Sequence, residues 1–368
     1  ESLDFAQAIS HLVNLYLSVG DFSAASRHSR RALAVSEKAV GLDHPNTAMC
    51  LNDLAGVVAR DGNLSEAVQL YQRALKVRDT ALVEDRNTAA ILANLADLLV
   101  LRGDFAAAES LGLRALKISE KVSGTDGLDT AYILSVLARL YQEQGNFIAA
   151  ESLLQRALKI NEKGWGPNHP FTAGALTQNA QLCVLRGDTA SAKAFCERAL
   201  TILEKTFGSD HYNIAQTLET LANLHGSDGN HIAAEPLYER TLKIREKAFG
   251  PDHLYTALSL RNLVELHMAK RDYAAAEPLF RRALKIHESS LGSEHSLTAR
   301  IQRDLALLRW QQAHPSEAVS PFQQAMTIQL RNLDKTAAIQ TEQQQFAMSS
   351  TVYGYLSWWL TISCEQET

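Results

Sequence analysis

The chain holds 368 residues, 46% hydrophobic and 7% aromatic, with 36 Lys+Arg against 41 Asp+Glu and a formal net charge of −5. That apolar share is enough to bury a core, which excludes an intrinsically disordered chain. The near-balanced charge excludes binding to nucleic acid through a net field alone. No apolar run reaches the roughly 18 residues of a membrane-spanning helix, and the first residues do not read as a secretory signal. Cys50, Cys183, Cys196 and Cys364 lie far apart without a CxxC pair, which argues against a zinc ribbon or a disulfide-stapled scaffold. The expected location is the reducing cytoplasm, with no membrane partner. Because the chain opens on Glu1 rather than Met, we expect it to be a piece of a longer protein.

A turn tripeptide recurs along the chain. It stands as Gly20-Asp21-Phe22, Gly62-Asn63-Leu64, Gly103-Asp104-Phe105, Gly145-Asn146-Phe147, Gly187-Asp188-Thr189 and Gly229-Asn230-His231, then in degenerate form as Arg271-Asp272-Tyr273 and Ala313-His314-Pro315. Successive spacings are 42, 41, 42, 42, 42, 42 and 42 residues. A fixed period of this length is the mark of a repeat array. Each copy is expected to be two helices around that turn.

Upstream of the turn the pairs Leu54-Ala55, Leu95-Ala96, Leu137-Ala138, Leu221-Ala222 and Leu305-Ala306 hold one offset, with Val57, Leu98, Leu140, Leu224 and Leu308 three residues after each Leu. That spacing describes one buried face of a first helix. Downstream, Ala25, Ala67, Ala108, Ala150, Ala192, Ala234, Ala276 and Ala318 share a position. Seven residues later stand Ala32, Ala74, Ala115, Ala157, Ala199, Thr241, Ala283 and Ala325. Small residues two turns apart let the second helix approach the first closely. The glycine supplies the left-handed backbone of a tight helix–helix turn. The copy from 63 to 103 is one residue short, and its loop Val83-Glu84-Asp85-Arg86 lacks the signature that joins other copies.

The small-residue and turn pattern resembles tetratricopeptide repeats, at 42 rather than 34 residues. The segments Arg240-Thr-Leu-Lys-Ile-Arg-Glu-Lys-Ala-Phe-Gly-Pro-Asp-His253 and Arg282-Ala-Leu-Lys-Ile-His287 are similar to the kinesin-light-chain and nephrocystin-like variety. The resemblance implies an all-α, right-handed superhelical solenoid of about eight helix-turn-helix repeats over residues 1–330, with a concave groove lined by the first helices. Stacking of the copies would make one continuous core.

His44, His169, His211, His253 and His295 each follow a glycine by three residues, as in Gly41-Leu-Asp-His44. Ligands of one metal must converge within about 2 Å of it, whereas equivalent residues of stacked helices stand about 10 Å apart. We therefore expect no metal site, and read these histidines as inter-repeat turn residues that satisfy free backbone groups. Cys183 and Cys196 occupy inter-helix packing positions and are expected to be buried thiols without a lowered pKa. Glu109, Glu151, Glu235 and Glu277 are expected to pair with nearby Arg and Lys. No GxSxG, HExxH, GxxxxGK[ST] or GxGxxG sequence occurs, so neither catalysis nor a cofactor is expected. Asn179 replaces a core Leu, and Gly112 a large residue of a second helix; both are read as drift in the pattern.

Mapped through the resemblance, the groove takes first-helix positions 13, 10, 6 and 3 residues before the turn glycine. These are Asn14, Asn52, Asp97, Tyr132, Ser135, Arg139, Gln142, Gln181, Asn223, Arg261, Glu265, Arg300, Arg303 and Trp310. Asn and Gln suit the backbone of a bound peptide, and the late arginines suit an acidic segment. The expected function is a non-catalytic scaffold that binds a protein or peptide in this groove. Self-association through the array ends is a further expectation, since the first copy lacks an evident polar cap.

Residues 331–368 leave the period. Gln343 to Ile362 reads as an amphipathic helix, with Phe346, Met348, Val352, Tyr353, Leu356, Trp359 and Leu360 on one broad side, expected to cap the stack. The sequence Gln340-Thr-Glu-Gln-Gln-Gln-Phe-Ala-Met348 followed by Tyr355-Leu-Ser-Trp358 resembles the connector that joins bacterial repeat arrays to caspase-like CHAT proteases. That resemblance implies an alternative function: the recognition or regulatory arm of such a protease, controlled by a partner complex such as an RNA-guided one. The protease's His and Cys would then lie beyond Thr368.

Overall fold

In the tripeptide turns, glycine and the residue after it divide the work of reversing the chain. Gly103 and Gly187 adopt φ of 79° and 76°, in the left-handed region, and each closes the helix before it. The following Asp or Asn then caps the next helix. Asp104 Oδ1 accepts from the Ala107 amide, Asn146 Oδ1 from Ala149, Asp188 Oδ1 from Ser191 and Asn230 Oδ1 from Ala233, all at 3.1–3.3 Å. Two residues thus satisfy both helix ends.

The computed structural model describes residues 3–19, 21–60, 62–294, 296–312 and 315–336. Among them run sixteen α-helices and no strand: α1 (Leu3–Val19), α2 (Phe22–Val40), α3 (Pro45–Arg60), α4 (Leu64–Thr80), α5 (Arg86–Arg102), α6 (Phe105–Ser123), α7 (Leu128–Glu143), α8 (Phe147–Gly164), α9 (Pro170–Arg186), α10 (Thr189–Phe207), α11 (Ala215–Ser227), α12 (His231–Phe249), α13 (Leu254–Ala269), α14 (Tyr273–Leu291), α15 (Ser296–Gln311) and α16 (Pro315–Thr336). A 3-10 turn, Tyr212–Ile214, precedes α11. Each odd-numbered helix packs most extensively on the even-numbered helix that follows it. The pairs form two compact units, α1–α12 within Glu1–Phe249 and α13–α16 within Gly250–Thr368. The segment expected to cap the array, 343–362, lies outside the described residues, as do His295 and the 340–358 segment that resembles the protease connector.

The alanine columns are the seams of both units. Ala25, Ala67, Ala108, Ala150, Ala192, Ala234, Ala276 and Ala318 are all at most 1% exposed. Thr241, the exception in the second column, is as buried as its neighbours, and its hydroxyl donates to the Leu237 carbonyl at 2.8 Å. Across the outer second helices of the first unit, ion pairs repeat from copy to copy: Arg73–Glu37, Arg114–Asp79, Arg156–Glu120, Arg198–Glu162 and Arg240–Glu204, at 2.5–2.8 Å. Singly such exposed pairs contribute little, about 0–1 kcal/mol, but they hold adjacent copies in one register.

The histidine turns are N-caps. Nδ1 of His44, His169, His211 and His253 accepts from the amide two residues on, at 3.1–3.3 Å. Thr47, Thr172 and Thr256 donate back to the carbonyls of Gly41, Gly166 and Gly250 at 2.7–2.8 Å. In the short copy Asp85 does the same work. It accepts from the amides of Asn87 and Thr88 at 3.0 Å and pairs with Arg78, which is 3% exposed. Leu82 occupies the glycine position there with φ 52°.

Two positions read as drift have structural reasons. A Cβ on Gly112 would stand 2.6 Å from Leu137 Cδ2, so glycine makes room for a core leucine of the next copy. Asn179 is buried, and its amide donates to the Ala175 carbonyl at 2.9 Å and the Leu154 carbonyl at 3.4 Å. One expected burial is corrected. Cys196 is fully buried, but Cys183 is half-buried, because it sits near the turn end of α9 where the helix pair opens toward solvent.

Candidate functional site

Within the first unit, first-helix residues of successive copies join in a polar chain. The Asn94 amide donates to Asn52 Oδ1 at 2.9 Å, and the Tyr132 hydroxyl donates to Asn94 Oδ1 at 2.8 Å. Burial of that hydroxyl pushes its pKa up, while the ring remains 46% exposed. One turn further along, Arg139 pairs with Asp97 and donates to the Asp97 carbonyl at 2.9 Å. The copies are thus tied by side chains of the candidate groove itself.

Two cavities lie along this face. The smaller, about 160 Å³, is lined by Asp97, Tyr132, Ser135, Arg139, Gln142 and Gln181, with Gln178 and Gln216 also on its wall. The larger, about 450 Å³, shares Tyr132, Ser135, Gln178 and Gln216 and continues to Ala90, Trp165, Phe171 and Gly174. Trp165 stacks on His169 at 4.7 Å between ring centroids and tilts against Phe171 at 5.2 Å. Arg86 and Asp129 close one side as an ion pair at 2.6 Å. Of the residues predicted from sequence, six surround the smaller cavity. Asn14 and Asn223 line neither; Asn223 accepts from the buried Tyr238 hydroxyl at 2.6 Å.

Sequence reasoning missed Gln178, Gln216, Trp165, Phe171 and Gly174. A signal for two of them was present. Ala90, Tyr132, Gly174 and Gln216 all stand 13 residues before their turn glycines, and the small members leave the space that the larger cavity occupies.

The second unit carries a different surface. Arg261 pairs with Glu265 at 3.5 Å, and Arg303 with Asp304. Arg300 makes no ion pair among the described residues; burial, and then the Arg261 guanidinium, push its pKa down, while Asp304 partly opposes them. Trp310, half-buried, packs against Ala306, Ala318, Phe322 and Met326 between α15 and α16. The carboxylates outside the groove have partners of their own: Glu151 pairs with Arg186, Glu277 with Arg281, and Glu109 accepts from the Tyr141 hydroxyl at 3.0 Å.

A family model for the tetratricopeptide repeat matches residues 4–80, 87–163, 171–247, 221–268 and 255–331. The chain belongs to the tetratricopeptide repeat family. Among curated proteins no sequence matches it significantly. Among solved structures it is similar to a signal-transduction ATPase with numerous domains from Pyrococcus horikoshii, which carries a tetratricopeptide repeat sensor. That likeness has a TM-score of 0.57 at 14% identity, over 94% of this chain and 53% of the ATPase. It is a likeness of fold. BtubC (BKLC) from P. vanneervenii matches with TM-score 0.47 at 24% identity, over 64% of this chain and 92% of that one. The nearly identical repeats of a putative kinesin light chain from Podospora anserina match with TM-score 0.47 at 25% identity, over 54% and 94%. Among the described residues no helix is long and apolar enough to cross a membrane.

Proposed function

We propose that this tetratricopeptide repeat chain is a non-catalytic scaffold whose first-helix faces hold a peptide segment or protein surface, including an acidic one. The observation that carries this reading is the charge count in the second unit. Three guanidinium groups, Arg261, Arg300 and Arg303, share one neighbourhood with two carboxylates, Glu265 and Asp304. A half-buried cation next to two like charges is costly unless an anion arrives, and a carboxylate-bearing segment supplies one. Each other element of the groove is polar, solvent-accessible and already ordered by its own hydrogen bonds, so binding costs little reorganisation.

The test is affinity capture from native lysate at rising salt, comparing the natural chain with an Arg300→Ala, Arg303→Ala double variant. The expected result is a partner held about tenfold more weakly by the variant and with a shallower salt dependence. Helicity and melting temperature should be unchanged. A partner captured equally well by both chains would remove the arginine group from the site.

A further inference from the structure

We propose that the cavity of about 450 Å³ in the first unit is a specificity pocket for one uncharged apolar side chain, aromatic or aliphatic, of a bound extended segment. This rests on the scaffold reading above and adds a second, neutral contact to it.

Three features of the cavity point to that occupant. The first is charge. The only ionised side chains on its wall and on that of the adjoining smaller cavity are Arg86 with Asp129 and Arg139 with Asp97, each paired with the other. A charged partner residue entering here finds no free counter-charge and would lose its hydration. The second is the wall. Tyr132, Trp165 and Phe171 are 46%, 43% and 60% exposed, and these rings lose apolar surface only if something sits among them. A volume of this size falls in the range of pockets that enclose organic ligands.

The third is Gly174. It lies inside α9, where glycine is less favourable than any residue but proline. Two other helical glycines are explained by packing, since a Cβ would meet Leu137 Cδ2 at 2.6 Å from Gly112 and Leu128 Cδ2 at 2.5 Å from Gly164. At Gly174 a Cβ would meet nothing within 4 Å. What the missing side chain leaves is the cavity itself. Beside it, the amides of Gln178, Gln181 and Gln216 make no hydrogen bond among the described residues, and Gln142 Nε2 is buried without an acceptor. A partner backbone lying past the pocket supplies the missing carbonyl.

The experiment selects random linear peptides, about a dozen residues long, displayed on phage, against the natural chain. It then measures the recovered peptides on Gly174→Leu and on Phe171→Ala. Leucine at 174 fills the cavity without touching the core, and circular dichroism and the melting temperature check that the fold is kept. The expected result is a set of peptides sharing one uncharged aromatic or aliphatic residue, with binding weakened about tenfold or more by Gly174→Leu and less by Phe171→Ala. Peptides that bind Gly174→Leu as well as the natural chain, or whose shared residue is charged, overturn the pocket. If their binding is instead lost on Arg300→Ala, the scaffold reading survives without it. Recovery of no peptide by the natural chain overturns the pocket and the groove reading together.

Discussion

The Tyr212 hydroxyl donates a 3.0 Å hydrogen bond to the backbone carbonyl of Leu17, 195 residues earlier in the chain. Leu17 lies in the last turn of α1, where carbonyls have no partner within their own helix. Tyr212 opens the first helix of the sixth copy. Over five copies the first unit therefore turns back on its own beginning, and one side chain ties the two ends. Replacing Tyr212 by Phe keeps the ring, which packs edge-on against Phe249, and removes only the donor. We expect a loss of about 1 kcal/mol, with amide exchange accelerated in α1 and unaffected in α13–α16. Unchanged protection of α1 in that variant would contradict the tie.

Two helical glycines should respond oppositely to the same change. Gly112→Ala drives a methyl into Leu137, which is 1% exposed, and the overpacking should outweigh the gain in helix propensity by about 1 kcal/mol. Gly174→Ala meets open space and should stabilise by up to about 1 kcal/mol. Chemical denaturation of the two variants side by side settles it; equal shifts of the same sign would refute the packing account.

Leu82 and Arg271 hold left-handed backbone, with φ of 52° and 58°, where equivalent turns carry glycine. Both side chains are exposed, so little packing offsets the strain. Each change to Gly should raise stability by about 0.5–1 kcal/mol, the relief of strain being reduced by the greater freedom of the unfolded chain. Melting curves check this, and a decrease at either position would show that its turn is not strained.

The thiols should separate by burial. Cys196 is fully buried, and burial pushes its pKa up to about 12; Cys183 is half-buried, and burial raises its pKa as well. Only thiolate reacts, so raising pH from neutral to mildly alkaline should speed alkylation of Cys183 in the native protein while Cys196 stays protected until unfolding. Mass spectrometry of the labelled peptides resolves the two. Native labelling of Cys196 as fast as that of Cys183 would show that the packing position is open.

Much of this architecture was legible in the residues because repetition makes it so. A glycine followed by Asp or Asn at a fixed period reports a helix end and a cap with no reference to the rest of the molecule, and alanine columns report helix seams directly. The histidine turns were readable for the same reason, since a cap is a local bond. What could not be read is what stands opposite a residue in the neighbouring copy. Gly112 looked like drift because the side chain that needs its space, Leu137, is 25 residues away. Gly174 carried no signal of its own, because an empty volume is defined by its walls. Trp165 and Phe171 escaped notice because they flank a histidine turn and not the expected groove positions. The arginine group was visible as a cluster, but that Arg300 is left without an ion-pair partner depends on which carboxylates the fold brings near.

The central claim is that partners are held on the first-helix faces, and a photo-crosslinking residue placed in turn at two positions tests it most directly. One position is Tyr132, on the wall of both cavities; the other is Lys117, exposed on the second helix α6. Irradiated in its native cell extract, the chain should form a discrete crosslinked product from position 132 and none from position 117. Crosslinking from position 117 with none from position 132 would place the binding surface on the outer helices and contradict the account.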